Sequence, residues 1–272
     1  MISKPFTILS LLIASTFLGS TAVSFSQTPN ASSKILLLTD SHGVSDYSFD
    51  LIDGLENHTQ QVRVIARCGG SPNWWFNRTS TNCGMLDKEY GGKKNYLPYH
   101  EFKKLNKKKR QQIGKTPDLN KVLPKDGTVI LTLGTNMVTD FAKQEIPDNP
   151  KFDCQKKRLS QMAGTYCMAK AIEENGNRCI WIGPPNVTVY SEEAVDKTYK
   201  MIAALAPNCN ILDSRTYLKY SGSDGKHYTA KGYKKWAAAA LADITLLLKS
   251  TNGAQKSVNS AEATTSFGRS AE

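Results

Sequence analysis

KILLLTDSHG, residues 34–43, joins a short apolar run to an abrupt polar turn. The run from Lys34 to Leu38 has the length of a buried β-strand, and the turn after it presents the hydroxyl group of Ser41. Ligands of an open α/β sheet bind beyond the carboxyl ends of its parallel strands, so a hydroxyl placed there can act as a nucleophile. Asp and Ser are also ordinary helix-capping residues, so this stretch alone indicates only the end of a strand.

Four further apolar runs predict β-strands that also end at polar or glycine-containing turns, at 62–66, 128–133, 179–183 and 210–213. Helical periodicity predicts the helices that connect them, at 49–56, 159–174, 192–205 and 230–249. Strands that alternate with helices predict a doubly wound α/β fold with a five-stranded, mostly parallel sheet and flanking helices. All the carboxyl ends of the strands would then lie along one edge of this sheet.

The first 26 residues predict a signal peptide, because one charge at Lys4 is followed by an apolar stretch and then by small residues. Its removal leaves 246 of the 272 residues, which suit a single α/β domain at 27–250 with a long insertion after strand 2 at 73–127. Residues 251–272 hold few apolar side chains and predict a disordered tail. We therefore expect a periplasmic or secreted protein with no stable membrane span.

The cysteines are six in number, and an even number in an exported chain predicts disulfides. No two of them have the C-x-x-C spacing of a structural metal site, and the four histidines are scattered, so no metal is predicted. Closeness on one loop favours the first pair below, and position at the starts of two predicted strands favours the second. The third pair follows by elimination, although a disulfide cannot join the two ends of one helix. These pairs are Cys68 with Cys83, Cys179 with Cys209, and Cys154 with Cys167.

Most of the positive charge lies in one segment. The formal net charge is +11, or +10 without Lys4, and residues 88–115 hold ten Lys and Arg against two Glu. The segment indicates an anionic polymer or surface as a partner, although a solvated basic face would have the same composition. Nucleic acid is not predicted, since no nucleic-acid motif accompanies the charge. At the start of the insertion, Trp74 and Trp75 either stack on a sugar ring or pack the insertion on the core.

Separate stretches supply the parts of an acyl-transfer site along the predicted edge. Ser41 can be the nucleophile and His227 its base, while Asp224, three residues before His227, can orient the imidazole. The oxyanion of a tetrahedral intermediate also needs hydrogen-bond donors. We expect these from the N–H groups of Ser41 and Gly70 and from the side-chain amide of Asn136, with Gly69 as a rival to Gly70.

In chain order, TDSH at 39–42, Gly70, GTN at 134–136 and DGKH at 224–227 resemble the four blocks of the SGNH, or GDSL-like, hydrolase family. The resemblance covers about residues 34–249 and implies a flavodoxin-like SGNH fold, a triad of Ser41, Asp224 and His227, and no cofactor. It also implies an oxyanion hole formed by the Ser41 N–H, Gly70 and Asn136. Two departures leave the catalytic residue types intact: His42 follows the serine where the family has Leu, and Met137 stands where it often has Asp.

These expectations describe an exported serine esterase that removes short acyl groups, with acetyl groups on a carbohydrate or cell-wall polymer as the leading substrate. A polysaccharide O-acetyltransferase would use the same triad, and the family also includes lipases and thioesterases. A lipase is disfavoured, because no amphipathic lid with a broad apolar face is present in the sequence. A non-catalytic glycan-binding protein on the same fold is the remaining alternative.

Overall fold

The computed structural model describes residues 34–265 with gaps at 60, 82 and 91, and it describes only the backbone over 251–265. The predicted signal peptide lies outside the described residues. Within the described part of the chain, no helix combines the length and the apolar character that crossing a membrane requires.

The centre of the molecule is one β-sheet. Its strands are β1 (Lys34–Thr39), β2 (Gln61–Arg67), β3 (Met85–Glu89), β4 (Lys94–Leu97), β5 (Thr128–Thr132), β6 (Arg178–Ile182) and β7 (Cys209–Leu212). They are arranged in the order β4-β3-β2-β1-β5-β6-β7. Where β2, β1, β5, β6 and β7 pair with one another, all the pairs are parallel, which confirms the predicted α/β sheet and places β1 at its middle.

The predicted strand number is wrong, because the sheet has seven strands within the described residues and not five. Both additional strands come from the insertion at 73–127, where β3 pairs antiparallel with β2 and β4 pairs antiparallel with β3. β3, Met85–Glu89, begins with the buried Met85 and Leu86 and ends with three partly or fully exposed polar residues, whereas β4, Lys94–Leu97, has no buried residue and is the edge strand. Neither sequence has the apolar run from which the five other strands were predicted.

Helices cover both faces of the sheet. They are α1 (Asp46–Leu55), α2 (Pro72–Asn77), α3 (Tyr99–Lys104), α4 (Lys107–Ile113), α5 (Leu119–Val122), α6 (Val138–Phe141), α7 (Gln161–Glu174), α8 (Glu192–Leu205) and α9 (Ala230–Thr265). Side chains alternate along β1: Ile35 and Leu37 pack with α1 and α9, whereas Leu36 and Leu38 pack with α7 and α8 on the opposite face. The strand from which the fold was predicted therefore contributes to both layers of the core.

The last helix is longer than predicted. It begins at Ala230 as expected, but it continues to Thr265, past its predicted end at Lys249. The expected disordered tail at 251–272 thus overlaps a stretch described as helix, and residues 266–272 lie outside the described residues.

All three predicted disulfides are formed, namely Cys68–Cys83, Cys154–Cys167 and Cys179–Cys209. Cys154 lies in the loop before α7 and Cys167 lies within that helix, so the bridge joins a loop to a helix and does not span two ends of one helix. Cys179 and Cys209 are register partners on the adjacent strands β6 and β7.

Candidate active site

Ser41 lies directly beyond the carboxyl end of β1, as predicted. It begins a single 3₁₀ turn, Ser41–Gly43, which Asp40 caps by accepting the His42 N–H on Oδ1 at 3.0 Å. Only glycine fits at position 43, because a Cβ there would collide with the side chains of Thr39 and Ser48. The tight turn holds the hydroxyl group of Ser41 at the carboxyl ends of the parallel strands, where β1 lies between β2 and β5.

The structure brings the three predicted triad residues together. Nε2 of His227 lies 3.0 Å from Oγ of Ser41, and Nδ1 lies 2.7 Å from Oδ2 of Asp224. The other carboxylate oxygen of Asp224 accepts the N–H groups of Lys226 and His227, at 2.9 and 2.7 Å. Burial acts to raise the pKa of Asp224, but the hydrogen bonds from His227 and Lys226 outweigh it and hold that pKa well below its usual range. Asp224 is thus an ionised partner for the imidazole.

The triad is open to solvent. The side chains of His227 and Asp224 are 41% and 54% exposed. Ser41 itself is partly exposed beside them.

Asn136 follows β5 and lies beside this triad. Its Nδ2 donates to the carbonyl of Gly70 at 3.1 Å and lies 3.4 Å from Oδ2 of Asp40. Its Oδ1 accepts from Nζ of Lys226 at 2.9 Å. The amide group is thus fixed at both ends, and the contact with Lys226 was not predicted from the sequence.

Gly70 contacts the site through its carbonyl group, which differs from its predicted role as an N–H donor. The N–H of Gly70 donates to the carbonyl of Arg67 at 2.7 Å and closes the turn that follows β2. Gly69, the rival candidate, has a φ of 79°, which glycine adopts readily, and the ring of Trp74 covers it. In this structure the N–H of Gly70 is not free to bind an oxyanion, because the carbonyl of Arg67 accepts from it.

The two neighbouring tryptophans have different surroundings. Trp75 is 1% exposed and packs against Leu38 and Ile65 in the core, so it has no free face for a sugar ring. This burial corrects the prediction that Trp75 binds substrate. Trp74 is half-buried over Gly69, and its binding role stays a prediction. Adjacent residues of a helix point about 100° apart, which is why the two rings have such different surroundings.

His42 and Asp40, on either side of Ser41, are both buried. Nδ1 and Nε2 of His42 are hydrogen-bonded to the hydroxyls of Tyr233 and Thr135, at 3.0 and 3.1 Å. Burial lowers the pKa of His42 far below its usual value, and the charge of His227 acts in the same direction. Burial also raises the pKa of Asp40 to about 7, against the opposing hydrogen bond from His42 N–H and the charge of Lys226. The sequence placed both residues next to Ser41 but gave no sign of their burial.

No protein-family model matches the sequence, and no curated protein matches it. Among solved structures, the chain is similar to an inhibitor-bound aryl esterase of M. smegmatis, with 15% identity and a TM-score of 0.47 over 79% of this chain and 100% of that one. It is also similar to a carbohydrate acetylesterase from Sinorhizobium meliloti, with 12% identity and a TM-score of 0.47 over 79% and 99% of the two chains. Similarity at this level does not carry a function from those proteins to this one.

Proposed function

We propose that the protein is a serine esterase, and the observation that carries the proposal is the continuous hydrogen-bonded series from Ser41 through His227 to Asp224. The distances of 3.0 and 2.7 Å are in the normal range of hydrogen bonds, and Ser41 is far from the other two residues in the sequence. A nucleophile next to a base, with the base oriented by a carboxylate, is the arrangement that activates a hydroxyl group.

In the proposed reaction, Oγ of Ser41 attacks the carbonyl carbon of the ester while Nε2 of His227 takes the hydroxyl proton. The tetrahedral intermediate then collapses, the C–O bond to the alcohol breaks, and His227 returns the proton to the departing oxygen. A water molecule attacks the acyl-enzyme by the same steps, which releases the acid and restores Ser41. Asp224 stabilises the imidazolium ion that forms in both halves of the reaction.

Two groups are the proposed donors to the oxyanion. The Ser41 N–H stands at the first position of its 3₁₀ turn, and Nδ2 of Asn136 makes a long contact of 3.4 Å with Asp40 that an oxyanion can replace. Gly70 joins them only if its N–H leaves the Arg67 carbonyl, because that hydrogen bond now occupies it.

For the substrate we propose a short acyl ester, acetyl above all, on an anionic glycan or cell-wall polymer. The position of the insertion supports this choice. Gly84 lies close to both Val44 and Tyr99, since a Cβ atom at Gly84 would be 3.2 Å from Val44 and 3.4 Å from the backbone N of Tyr99. Val44 is three residues after Ser41, and Tyr99 begins α3. The basic part of the insertion therefore begins beside the nucleophile turn.

Helix α4 supplies exposed positive charge next to α3. It contains no buried residue, and its first four positions are all cationic, namely Lys107, Lys108, Lys109 and Arg110. We refer to α3 and α4 together as the basic surface. Charges of one sign next to an open site raise the local concentration of an oppositely charged substrate. The three disulfides support the further proposal that the enzyme acts outside the cytoplasm, where such bonds persist.

The proposal is tested with purified protein and aryl esters of increasing acyl length, with Ser41→Ala as the matched control. We expect hydrolysis that is fastest with acetyl and is lost in the control. Absence of hydrolysis by the wild-type protein, or equal hydrolysis by the control, would refute the esterase. Adding a sugar acceptor and measuring released acetate against acetylated sugar separates hydrolysis from the O-acetyltransferase alternative.

A further inference from the structure

Lys226 reaches from the loop that carries the proposed base to the residue that carries a proposed oxyanion donor. Its Nζ donates to Oδ1 of Asn136 at 2.9 Å, and the side chain is half-buried. We propose that Lys226 is a positioning residue, which fixes the Asn136 amide with Nδ2 turned toward the reacting centre and sets a positive charge behind it. This inference rests on the proposed esterase function.

The orientation of the Asn136 amide follows from its two neighbours. An ammonium group has donors only, and a carbonyl oxygen is an acceptor only. Oδ1 must therefore face Lys226, and Nδ2 must face the carbonyl of Gly70, at 3.1 Å. A reversed amide would set donor against donor at Lys226 and acceptor against acceptor at Gly70. Without Lys226, the hydrogen bonds that would oppose rotation of the amide, among the residues that the structure describes, are the Gly70 contact and the long contact with Asp40.

The loop 224–227 fixes Lys226 and the base in one arrangement. Oδ1 of Asp224 accepts both the Lys226 N–H and the His227 N–H, while Oδ2 holds the imidazole ring. Gly225, between them, has a φ of 76°, which permits this tight reversal of the chain. The position of the Asn136 amide relative to His227 is thus set through Lys226 by the same carboxylate that orients the base.

The charge of Lys226 adds to its effect on geometry. Negative charge develops on the acyl oxygen in the transition state, and Nδ2 of Asn136 is the proposed donor to that oxygen. The ammonium group of Lys226 lies at the opposite end of the same amide, at Oδ1. The amide N–H bonds are polarised toward the oxyanion when their carbonyl oxygen accepts from a cation. The same positive charge acts to lower the pKa of the neighbouring Asp40 carboxyl, against burial, which raises it.

Steady-state kinetics on an aryl acetate test the proposal with Lys226→Met, Lys226→Arg and Lys219→Met. Lys219 is exposed and outside the site, so its replacement removes an equal charge without touching Asn136. We expect Lys226→Met to lower kcat about tenfold with KM changed less than about twofold. This loss is smaller than the roughly 10²- to 10³-fold loss on removing an oxyanion donor. Lys226→Arg keeps a donor and a charge and should recover most of kcat, and Lys219→Met should match the wild type. Wild-type kcat in Lys226→Met would overturn the proposal.

A double-mutant cycle then shows whether Lys226 acts through Asn136. When Asn136→Ala is already present, Lys226→Met should have less than about a twofold further effect, because the group that it positions is gone. If the two losses multiply in full, Lys226 acts by another route and the positioning role is wrong.

The side-chain amide resonances of Asn136 give a readout that does not depend on activity. In ¹H–¹⁵N spectra they are assigned by their disappearance in Asn136→Ala, and we expect them to shift in Lys226→Met but not in Lys219→Met. The rest of each spectrum reports whether the variant is folded. If the wild type hydrolyses no ester, the proposed function fails while these resonances still decide the contact; unshifted resonances in folded Lys226→Met would refute the positioning role itself.

Discussion

The imidazole rings of His42 and His227 lie with their centroids 5.4 Å apart, yet only His227 reaches the hydroxyl group of Ser41. Both nitrogens of His42 are bonded inside the core, to Tyr233 and Thr135. Burial keeps His42 uncharged, so it does not repel the imidazolium ion that would form on its neighbour. Two identical side chains thus differ in chemistry because of their burial and their hydrogen-bond partners.

The first prediction compares these two histidines. Ser41→Ala and His227→Ala should each lower kcat for an aryl acetate by about 10⁴- to 10⁶-fold, since each removes a member of the triad. His42→Gln should lower kcat by less than about tenfold but destabilise the fold by about 1 to 3 kcal/mol, because buried hydroxyl groups lose their partners. Kinetics and urea unfolding of the same preparations check both effects. A folded His42→Gln as inactive as His227→Ala would contradict the assignment of the base.

The second prediction concerns the pH dependence of stability through Asp40. Burial raises the pKa of Asp40 from 3.8 to about 7, so the folded protein binds this proton more tightly than the unfolded chain does. The resulting contribution is fully present below pH 4 and is lost as the pH rises to 7. The stability of the wild type should therefore fall relative to Asp40→Asn by up to about 4 kcal/mol between pH 4 and pH 8.

Urea unfolding of both proteins across this pH range measures the difference. Burial lowers the pKa of His42, which gives stability a pH dependence of its own, but His42 is present in both proteins and its contribution cancels to first order. A difference between the proteins that does not change with pH would show that Asp40 is ionised in the folded state throughout.

The third prediction separates the two adjacent tryptophans. Trp75→Ala should lower the free energy of unfolding by about 3 to 5 kcal/mol, because it empties a buried site in the core. Trp74→Ala should destabilise the fold much less and raise KM for an acetylated glycan, with little effect on an aryl acetate. Unfolding curves and the two KM values measure these effects. Unchanged KM for the glycan in Trp74→Ala would remove Trp74 from the proposed binding site.

The fourth prediction compares two disulfides. Cys179–Cys209 closes 30 residues, and its replacement by two serines should lower stability by about 3 to 4 kcal/mol without changing kcat at low temperature. Replacing Cys68–Cys83 should lower kcat as well, because Cys68 precedes the Gly69–Gly70 turn whose carbonyl holds Asn136. Thermal unfolding and kcat at 15 °C distinguish the two results. Equal kcat values for the two serine variants would show that the turn keeps its shape without its disulfide.

The fifth prediction tests the basic surface. Replacing three lysines of α4 by glutamine should raise KM for an acetylated anionic glycan and leave kinetics on an aryl acetate unchanged, because these charges would bind the polymer and take no part in breaking the ester bond. The matched control removes three exposed charges from α8 and α9. The test set is Lys107, Lys108 and Lys109, and the control set is Lys200, Lys234 and Lys235.

Added salt should weaken the binding of this glycan to the wild type, since charges are screened over about 8 Å at physiological ionic strength. Its effect on the α4 variant should be smaller. Equal KM values for test and control variants at low salt would mean that the basic surface is only a solvated face.

The sequence was most informative where a buried strand meets a polar turn. The run at 34–38 predicted β1. The positions of four residues after predicted strands indicated that they lie together at the carboxyl ends of those strands, and the fold brings them together there: Ser41, Asn136, Asp224 and His227. Parallel strands explain this success, because their carboxyl ends must lie on the same side of the sheet. Residues far apart in the chain can then be placed together from strand positions alone.

Other features depend on contacts that no local pattern encodes. Strands β3 and β4 have at most two consecutive buried apolar residues and form by pairing next to the edge of the sheet and at it, so their sequences resemble a loop. The hydrogen bond from Lys226 to Asn136 depends on the reach of one side chain across the site. The burial of Trp75 and the exposure of part of Trp74 depend on how α2 is rotated against α7.

The disulfide between the register partners Cys179 and Cys209 also has a consequence for how the sheet opens. Strand β7 is an outer strand with a neighbour on one side only, and such strands ordinarily fray first. Here a covalent bond crosses between β6 and β7, whereas none of the three disulfides reaches β4 at the opposite edge. Amide protons of β7 should therefore exchange with solvent more slowly than those of β4, so that opening of the sheet begins on the side of the insertion.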